Sequence, residues 1–211
     1  GLRPIDLHLS SLRLMGAQIE TEGGVLSCRC PDGLRGEKIT LSFPSVGATE
    51  NILIAAASAD GETVILNAAR EPEIADLADF LCSCGAHISG ADSGEITVCG
   101  MKKLHSAEHT VIPDRIIAST YMAAAAVTGG DVHILDTRAE HITPVIPVFE
   151  QAGCKVDCGE NSVHISAPVR LRSVQTVRTM PYPGFPTDSQ AAVMAMLSVA
   201  HGTSVMIENI F

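Results

Sequence analysis

The chain has 211 residues, 46% of them hydrophobic and 3% aromatic, with a formal net charge of −10. This length suits one large domain or two small ones around a well-filled aliphatic core. The acidic balance argues against duplex DNA and anionic membrane as partners, and the shortage of rings argues against a stacking platform for single-stranded nucleic acid.

In chain order, the first predicted element is an amphipathic helix from Ile5 to Met15, with Leu7, Leu9, Leu12 and Leu14 apolar. Gly16 is its expected C-cap. Strands are predicted at Gln18–Glu20, Val25–Cys30 and Lys38–Leu41, then an Ala-rich helix over Gly47–Ser58 and a strand after the Gly61 turn. The order then recurs. Ile74, Leu77, Phe80 and Leu81 fall at helical spacing and end at Gly85. Strands are predicted at His87–Ser89, Glu95–Cys99 and His109–Ile112, a second Ala-rich helix at Arg115–Val127, and a strand after Gly130. A third pass has Gly153, strands at Lys155–Asp157, Ser162–Ser166 and Val174–Arg178, a helix at Asp188–Val199, and a closing strand after Gly202.

Gly16, Gly85 and Gly153 are 69 and 68 residues apart, and Pro44, Pro113 and Pro186, each before an Ala-rich helix, are 69 and 73 apart. Markers recurring in one order are an internal repeat. Two helices and about four strands per unit give an α+β fold class built from α/β repeat units. Such a unit cannot bury its sheet alone, so neighbours must pack. The Ala-rich helices are apolar nearly all round, which predicts that they are central and buried with sheets outside them.

The cysteines, seven in all, are spaced as CxC and CxxxC with no CxxC pair, so free thiols in a reducing cytoplasm are expected in place of zinc or disulfides. The eight histidines are scattered, form no HxH pair and read as surface or strand residues, so no metal site is expected. No signal peptide and no apolar run of membrane-spanning length is present. The start without Met and the apolar run Val205 to Phe211 read as cuts inside a longer protein.

The stretch Pro181-Tyr182-Pro183-Gly184-Phe185-Pro186-Thr187-Asp188-Ser189-Gln190 is stiff and runs straight into a helix former. Thr187 or Asp188 is therefore a natural N-cap. The alternative is that the rigid lead-in aims the Asp188 carboxylate as an acid/base, ionised at a helix start and hence a base. Arg3-Pro4-Ile5-Asp6-Leu7 pairs a guanidinium suited to phosphate or a stacked base with a carboxylate suited to an imide N–H. Asp6 as the mere start of the first helix is the bland alternative. Ser45-Val46-Gly47-Ala48-Thr49 is a Ser-capped helix start whose free N–H groups form an anion site. Asp114-Arg115 holds the same place in the second repeat and is either such a helix start or a structural ion pair at the unit boundary. Glu71 either faces a cleft or caps a helix from Glu73.

Five runs in register resemble the UDP-N-acetylglucosamine 1-carboxyvinyltransferases, a family of enolpyruvyl transferases. They are Gly1-Leu2-Arg3-Pro4-Ile5-Asp6-Leu7-His8, Pro44 to Thr49, Asn67-Ala68-Ala69-Arg70-Glu71-Pro72-Glu73-Ile74, Pro113-Asp114-Arg115-Ile116 and Gly184 to Gln190. The shikimate-pathway enolpyruvyl transferases share the repeat but lack the Arg-Pro-x-Asp and Ser-Val-Gly-Ala-Thr runs. The resemblance implies an inside-out α/β barrel fold of six units in two domains, of which this chain is about the middle half. Residues 1–112 would finish the first domain and 113–211 open the second.

It also implies a cytoplasmic transferase of peptidoglycan synthesis, serving cell wall biogenesis, cell shape, the cell cycle and cell division. Enolpyruvate would pass from phosphoenolpyruvate to the 3′-hydroxyl of UDP-N-acetylglucosamine, without a cofactor. Asp188 would be the catalytic base. Arg3, Pro4, Ile5, Asp6 and Leu7 would hold the uracil. Phe43, Pro44, Ser45, Val46 and Gly47 would hold the phosphates, and Ile210 would touch the sugar side, with Glu71 and Arg115 in the cleft. The family's reactive loop cysteine and its phosphoenolpyruvate-holding lysine and arginines fall outside these residues. Phe43 stands where some members carry lysine, and Ala192 replaces a frequent glutamine. The segment alone is thus expected to be silent and to self-associate through exposed unit faces. The competing readings are a non-catalytic sugar-nucleotide binding module of the same fold and a structural repeat protein in which Asp188 is only a cap.

Overall fold

The computed structural model describes residues 4–211, which divide into two units, one up to Val111 and one from Ile112. The first unit contains α1 (Asp6–Leu14), β1 (Gln18–Glu22), β2 (Val25–Arg29), β3 (Lys38–Thr40), α2 (Val46–Ala56), β4 (Glu62–Leu66), α3 (Pro72–Ser83), β5 (His87–Ser89) and β6 (Glu95–Cys99). The second contains α4 (Arg115–Thr128), β7 (Asp131–Leu135), α5 (Ala139–Ile142), α6 (Ile146–Gln151), β8 (Lys155–Cys158), β9 (Ser162–Ser166), β10 (Thr176–Arg178), a 3₁₀ turn at Thr187–Ser189, α7 (Gln190–Ser198) and β11 (Val205–Ile207).

The three predicted glycine caps form by one mechanism. Gly16, Gly85 and Gly153 sit at φ of 103°, 102° and 103°, where a Cβ is strained. At each, two N–H groups return to the last helical turn. Ala17 N–H donates to the Leu12 carbonyl at 2.9 Å, Ala86 to Leu81 at 3.0 Å and Cys154 to Phe149 at 3.0 Å, while each glycine N–H bonds the next carbonyl along. These are Schellman closures. The helix entering the third one departs from a single amphipathic helix, because it is broken into α5 and α6. Pro144 lies in the break, and Pro147 lies in the first turn of α6, where a missing N–H is tolerated.

The first unit carries a mixed sheet in the order β3-β4-β6-β5 and the separate hairpin β1-β2; the second carries β7-β9-β8 and the parallel pair β10-β11. The repeat shows in the pairing. β4 runs antiparallel to β6, with Glu62 opposite Cys99, and β7 runs antiparallel to β9, with Asp131 opposite Ser166. The strand predicted at His109–Ile112 is absent. Its counterparts β3 and β10 each lie parallel to the strand that closes their own repeat, β4 and β11. Residue 109 is held by its side chain instead: His109 Nε2 lies 2.9 Å from Asp76 Oδ1 on α3, and its ring tilts against Phe80.

Each sheet turns alternate residues inward onto helices. Ile65, Ile96 and Val98 pack with Ala48, Ile52 and Leu53 of α2. Val163 and Ile165 pack with Phe149, Met122 of α4 and Val193 and Met196 of α7. Burial all round the Ala-rich helices, expected from their composition, is not found among the described residues. Ile54 of α2, Ile117 and Tyr121 of α4, and Met194 of α7 are exposed. All seven cysteines are free, and no described helix is long and apolar enough to cross a membrane.

The outer face of the β7-β9-β8 sheet carries a titratable cluster. His164 of β9 stacks on His133 of β7, with ring centroids 4.0 Å apart. Its Nε2 lies 2.8 Å from Asp131 of β7 and its Nδ1 3.6 Å from Asp157 of β8. The hydrogen bond with Asp131 raises the His164 pKa above its ordinary value, and the same bond, helped by Ser166, lowers that of Asp131. A raised histidine stabilises the fold below its unfolded pKa and loses that contribution as pH rises through its folded value. A lowered aspartate stabilises above its unfolded pKa and loses it as pH falls. The bridge therefore acts from about pH 4 to somewhat above about pH 6.5. Between about pH 5.5 and about pH 8 the melting temperature should fall more for the native chain than for His164→Gln, as calorimetry at the two pH values will reveal; equal slopes would refute the bridge.

Candidate functional site

The proline before each Ala-rich helix sets up the same start three times, and the residue after it is the candidate cap: Ser45, Asp114 and Thr187. Ser45 caps α2, its Oγ accepting from the Ala48 N–H at 3.4 Å. The N–H groups of Val46 and Gly47 lie in the first turn, where a helix offers no internal acceptor. Phe43 through Gly47 are half-buried. Behind the turn, Thr49 is fully buried, donating to the Ser45 carbonyl at 2.8 Å and accepting from the Ala69 N–H at 3.0 Å, which ties the helix start to the segment before α3.

α1 lies beside this turn. His8 Nδ1 hydrogen-bonds the Asn51 side chain of α2, and a Cβ built on Gly47 would come within 3.2 Å of the His8 ring. The start of α1 is thereby brought alongside the start of α2. Asp6 is the first residue of α1, with Ile5 at the cap position and no side-chain cap bond, as the bland reading had it. Pro4, Ile5 and Asp6 are exposed and Leu7 is half-buried. Arg3 lies outside the described residues. Glu71 occupies the cap position of α3, which begins at Pro72 and not at Glu73, but its side chain makes no cap bond and instead accepts from the Arg70 N–H at 3.0 Å. Burial, then the nearby carboxylates of Glu73 and Glu71, push the pKa of Glu50 on α2 upward.

In the second unit Asp114 is a full cap, accepting from the N–H groups of Ile116 and Ile117 at 2.7 and 3.0 Å. The Asp114–Arg115 ion pair expected from the sequence is replaced by another. Arg115, 6% exposed, points Nη2 at Asp188 Oδ2 across 3.5 Å, while the Asp188 side chain is 47% exposed. The two residues hold the same repeat position, each two after its proline. Beside them Ser119 and Ser189 join their hydroxyls at 3.0 Å between α4 and the turn.

Neither Thr187 nor Asp188 caps α7. The helix begins at Gln190 behind a 3₁₀ turn, and its cap residue Ser189 makes no side-chain cap bond. Thr187 gives its hydroxyl to Glu208 Oε2 at 2.9 Å. The Asp188 carboxylate is thus free of capping, half-exposed and aimed by a buried cation. Ile210, half-buried, donates its N–H to Glu208 Oε1 at 2.6 Å. Sequence reasoning missed Glu208. Its signal was a lone charge inside the otherwise uncharged run Val205–Phe211.

Residues 1–211 match a family model described as EPSP synthase (3-phosphoshikimate 1-carboxyvinyltransferase). The chain is 48% identical over 211 residues to UDP-N-acetylglucosamine 1-carboxyvinyltransferase 2 of Caldanaerobacter subterraneus subsp. tengcongensis, covering 100% of the chain and 50% of the relative. It is 48% identical over 213 residues to UDP-N-acetylglucosamine 1-carboxyvinyltransferase of Finegoldia magna, with the same coverage. The chain therefore spans about half the length of these relatives. Among solved structures, the enolpyruvyl transferase NikO from Streptomyces tendae superposes with a TM-score of 0.85 at 22% identity, over 98% of this chain and 52% of that one. EPSP synthase from Acinetobacter baumannii gives 0.66 at 27% identity, over 97% and 49%. The α+β repeat fold expected from the sequence is the fold of these structures.

Proposed function

We propose a function from one premise: the chain belongs to the family of enolpyruvyl transferases to which EPSP synthase gives its name. Within it we infer the UDP-N-acetylglucosamine reaction, in which enolpyruvyl passes from phosphoenolpyruvate to the sugar's 3′-hydroxyl and phosphate leaves. Whole-chain identity of 48% to carboxyvinyltransferases of that substrate, against 27% to an EPSP synthase, supports this choice. In this reading the chain is about the middle half of a cytoplasmic enzyme that commits UDP-N-acetylglucosamine to peptidoglycan, and hence to cell wall growth, shape and division. Residues 1–112 complete one domain and 113–211 open the next. The segment alone is inactive and associates with itself through its exposed apolar faces.

The observation that carries the chemistry is Asp188, a carboxylate not spent on a cap and oriented by Arg115. A general base needs a free oxygen within reach of the hydroxyl proton, and that orientation leaves one. The 3′-oxygen bonds to C2 of phosphoenolpyruvate as Asp188 takes its proton and a proton adds to C3, giving a tetrahedral intermediate; loss of a C3 proton and of phosphate from C2 then restores the double bond. The first turn of α2, from Phe43 to Gly47, takes the nucleotide phosphates on its N–H groups. Arg3 through Leu7 take the uracil, and Ile210 takes the sugar side.

The test is phosphate release by the full-length protein from phosphoenolpyruvate, with and without UDP-N-acetylglucosamine. Release that requires both substrates, and none from the 211-residue segment, is the expected result. Calorimetric binding of UDP-N-acetylglucosamine without any release would instead make this a sugar-nucleotide binding module.

A further inference from the structure

We propose that Glu208 is a positioning residue that holds the Asp188 turn and the Ile210 backbone in one fixed arrangement; the proposal rests on the reaction assigned above. Its two carboxylate oxygens divide the work. Oε2 accepts from the Thr187 hydroxyl at 2.9 Å, one residue before Asp188. Oε1 accepts from the Thr179 hydroxyl at 2.8 Å, the Ile210 N–H at 2.6 Å and the Phe211 N–H at 3.4 Å. Thr179, fully buried after β10, in turn accepts from the Asn209 N–H at 2.8 Å. One side chain thus joins three segments: the end of β10, the 3₁₀ turn that presents Asp188, and the chain after β11 that presents Ile210.

The repeat makes the role specific. At the first two copies of this position the residue after the proline caps its helix, as Ser45 and Asp114 do. In the third, the hydroxyl of Thr187 is turned to Glu208 and the helix start becomes a 3₁₀ turn. A carboxylate accepting several charge-assisted bonds is a firm anchor. Burial alone would push the Glu208 pKa up, but the bonds from Ile210, Thr179, Thr187 and Phe211 outweigh it and leave it below the ordinary carboxylate value. The anchor therefore stays ionised at neutral pH and lets go only as pH falls through that lowered value.

Glu208→Ala and Glu208→Gln in the full-length protein test this, each compared with the wild type for kcat, for KM of both substrates and for amide hydrogen exchange. Misplacement of a catalytic group by about 1 Å lowers rates about 100-fold. Glu208→Ala should lose kcat on that scale, raise KM for UDP-N-acetylglucosamine and leave KM for phosphoenolpyruvate unchanged. Glu208→Gln keeps an acceptor for the Ile210 N–H and a donor for the Thr187 oxygen, so it should recover at least about tenfold of the loss. Exchange at Ser189, whose N–H donates to the Pro186 carbonyl at 3.2 Å in the same turn, and at Ile210 should accelerate in the alanine variant only. The proposal is overturned by an alanine variant within about twofold of wild type in kcat, by a glutamine variant no better than alanine, or by unchanged exchange at both amides. Should the wild type itself release no phosphate, the assigned reaction has failed, and exchange alone then decides the anchor: acceleration confined to the two segments upholds it, none overturns it.

Discussion

Asp188→Asn in the full-length protein should lower phosphate release by about 100- to 10,000-fold, the range that general acid–base groups supply, and leave the circular dichroism spectrum unchanged. Asparagine has nearly the same shape, and its amide oxygen can still accept from Arg115, so the 3.5 Å contact and the turn should survive. What disappears is the second basic oxygen. The side chain is 47% exposed, so the lost ion pair contributes at most about 1 kcal/mol to stability. A reading of Asp188 as a helix cap predicts the opposite pattern: a small loss of stability and no change in rate. The geometry already disfavours that reading, because α7 starts at Gln190 and Asp188 caps nothing. Full activity in the asparagine variant would remove Asp188 from the chemistry.

The parts of the fold that were legible in the sequence are those decided within a few residues. A glycine at φ near 103° closes a helix through its own last turn, so Gly16, Gly85 and Gly153 mark three helix ends by themselves. The strands at Glu95–Cys99 and Ser162–Ser166 were equally readable, because each alternates inward and outward residues. Three failures involve distant partners. Residues 109–112 have strand-like composition but no pairing, and the His109 side chain is engaged by Asp76, 33 residues earlier. Thr187 looks like a cap until its hydroxyl is seen on Glu208, 21 residues on. Arg115 looks paired with its neighbour Asp114, yet meets Asp188 from the next repeat. Of the candidate site, the residue types at Ser45–Gly47 and Asp188 were readable; the ion pair and the carboxylate anchor that orient Asp188 were not. The exposed Ile117, Tyr121 and Met194 have a related cause: an all-apolar helix specifies that its faces suit burial, but not which neighbour covers them.

Gly47→Asp should separate binding from folding, weakening the first and leaving the second nearly unchanged. Ser45 spends its hydroxyl on the Ala48 N–H, so the Val46 and Gly47 N–H groups are left without an intrahelical acceptor. Bonds from such groups to a charged ligand contribute about 1.5–3 kcal/mol each. Losing two of them, and adding a like charge, should weaken UDP-N-acetylglucosamine by at least about 100-fold. For the fold itself the same change is nearly neutral. Aspartate is a better helix residue than glycine, and an acidic group in the first turn gains about 0.3–1 kcal/mol from the helix dipole. Against this stands the 3.2 Å approach of the new Cβ to the His8 ring, which must shift by a few tenths of an ångström. The melting temperature should accordingly move by no more than a few degrees. Calorimetric titration of the full-length variant with UDP-N-acetylglucosamine, and with uridine as the ligand that lacks phosphate, localises the loss. Uridine affinity should be unchanged if the uracil is held by Arg3 through Leu7. An aspartate variant that binds the nucleotide sugar as tightly as the wild type would mean that the α2 start does not hold the phosphates, and the half-buried Phe43, which brings no cation to that turn, would then lose its assigned place beside them.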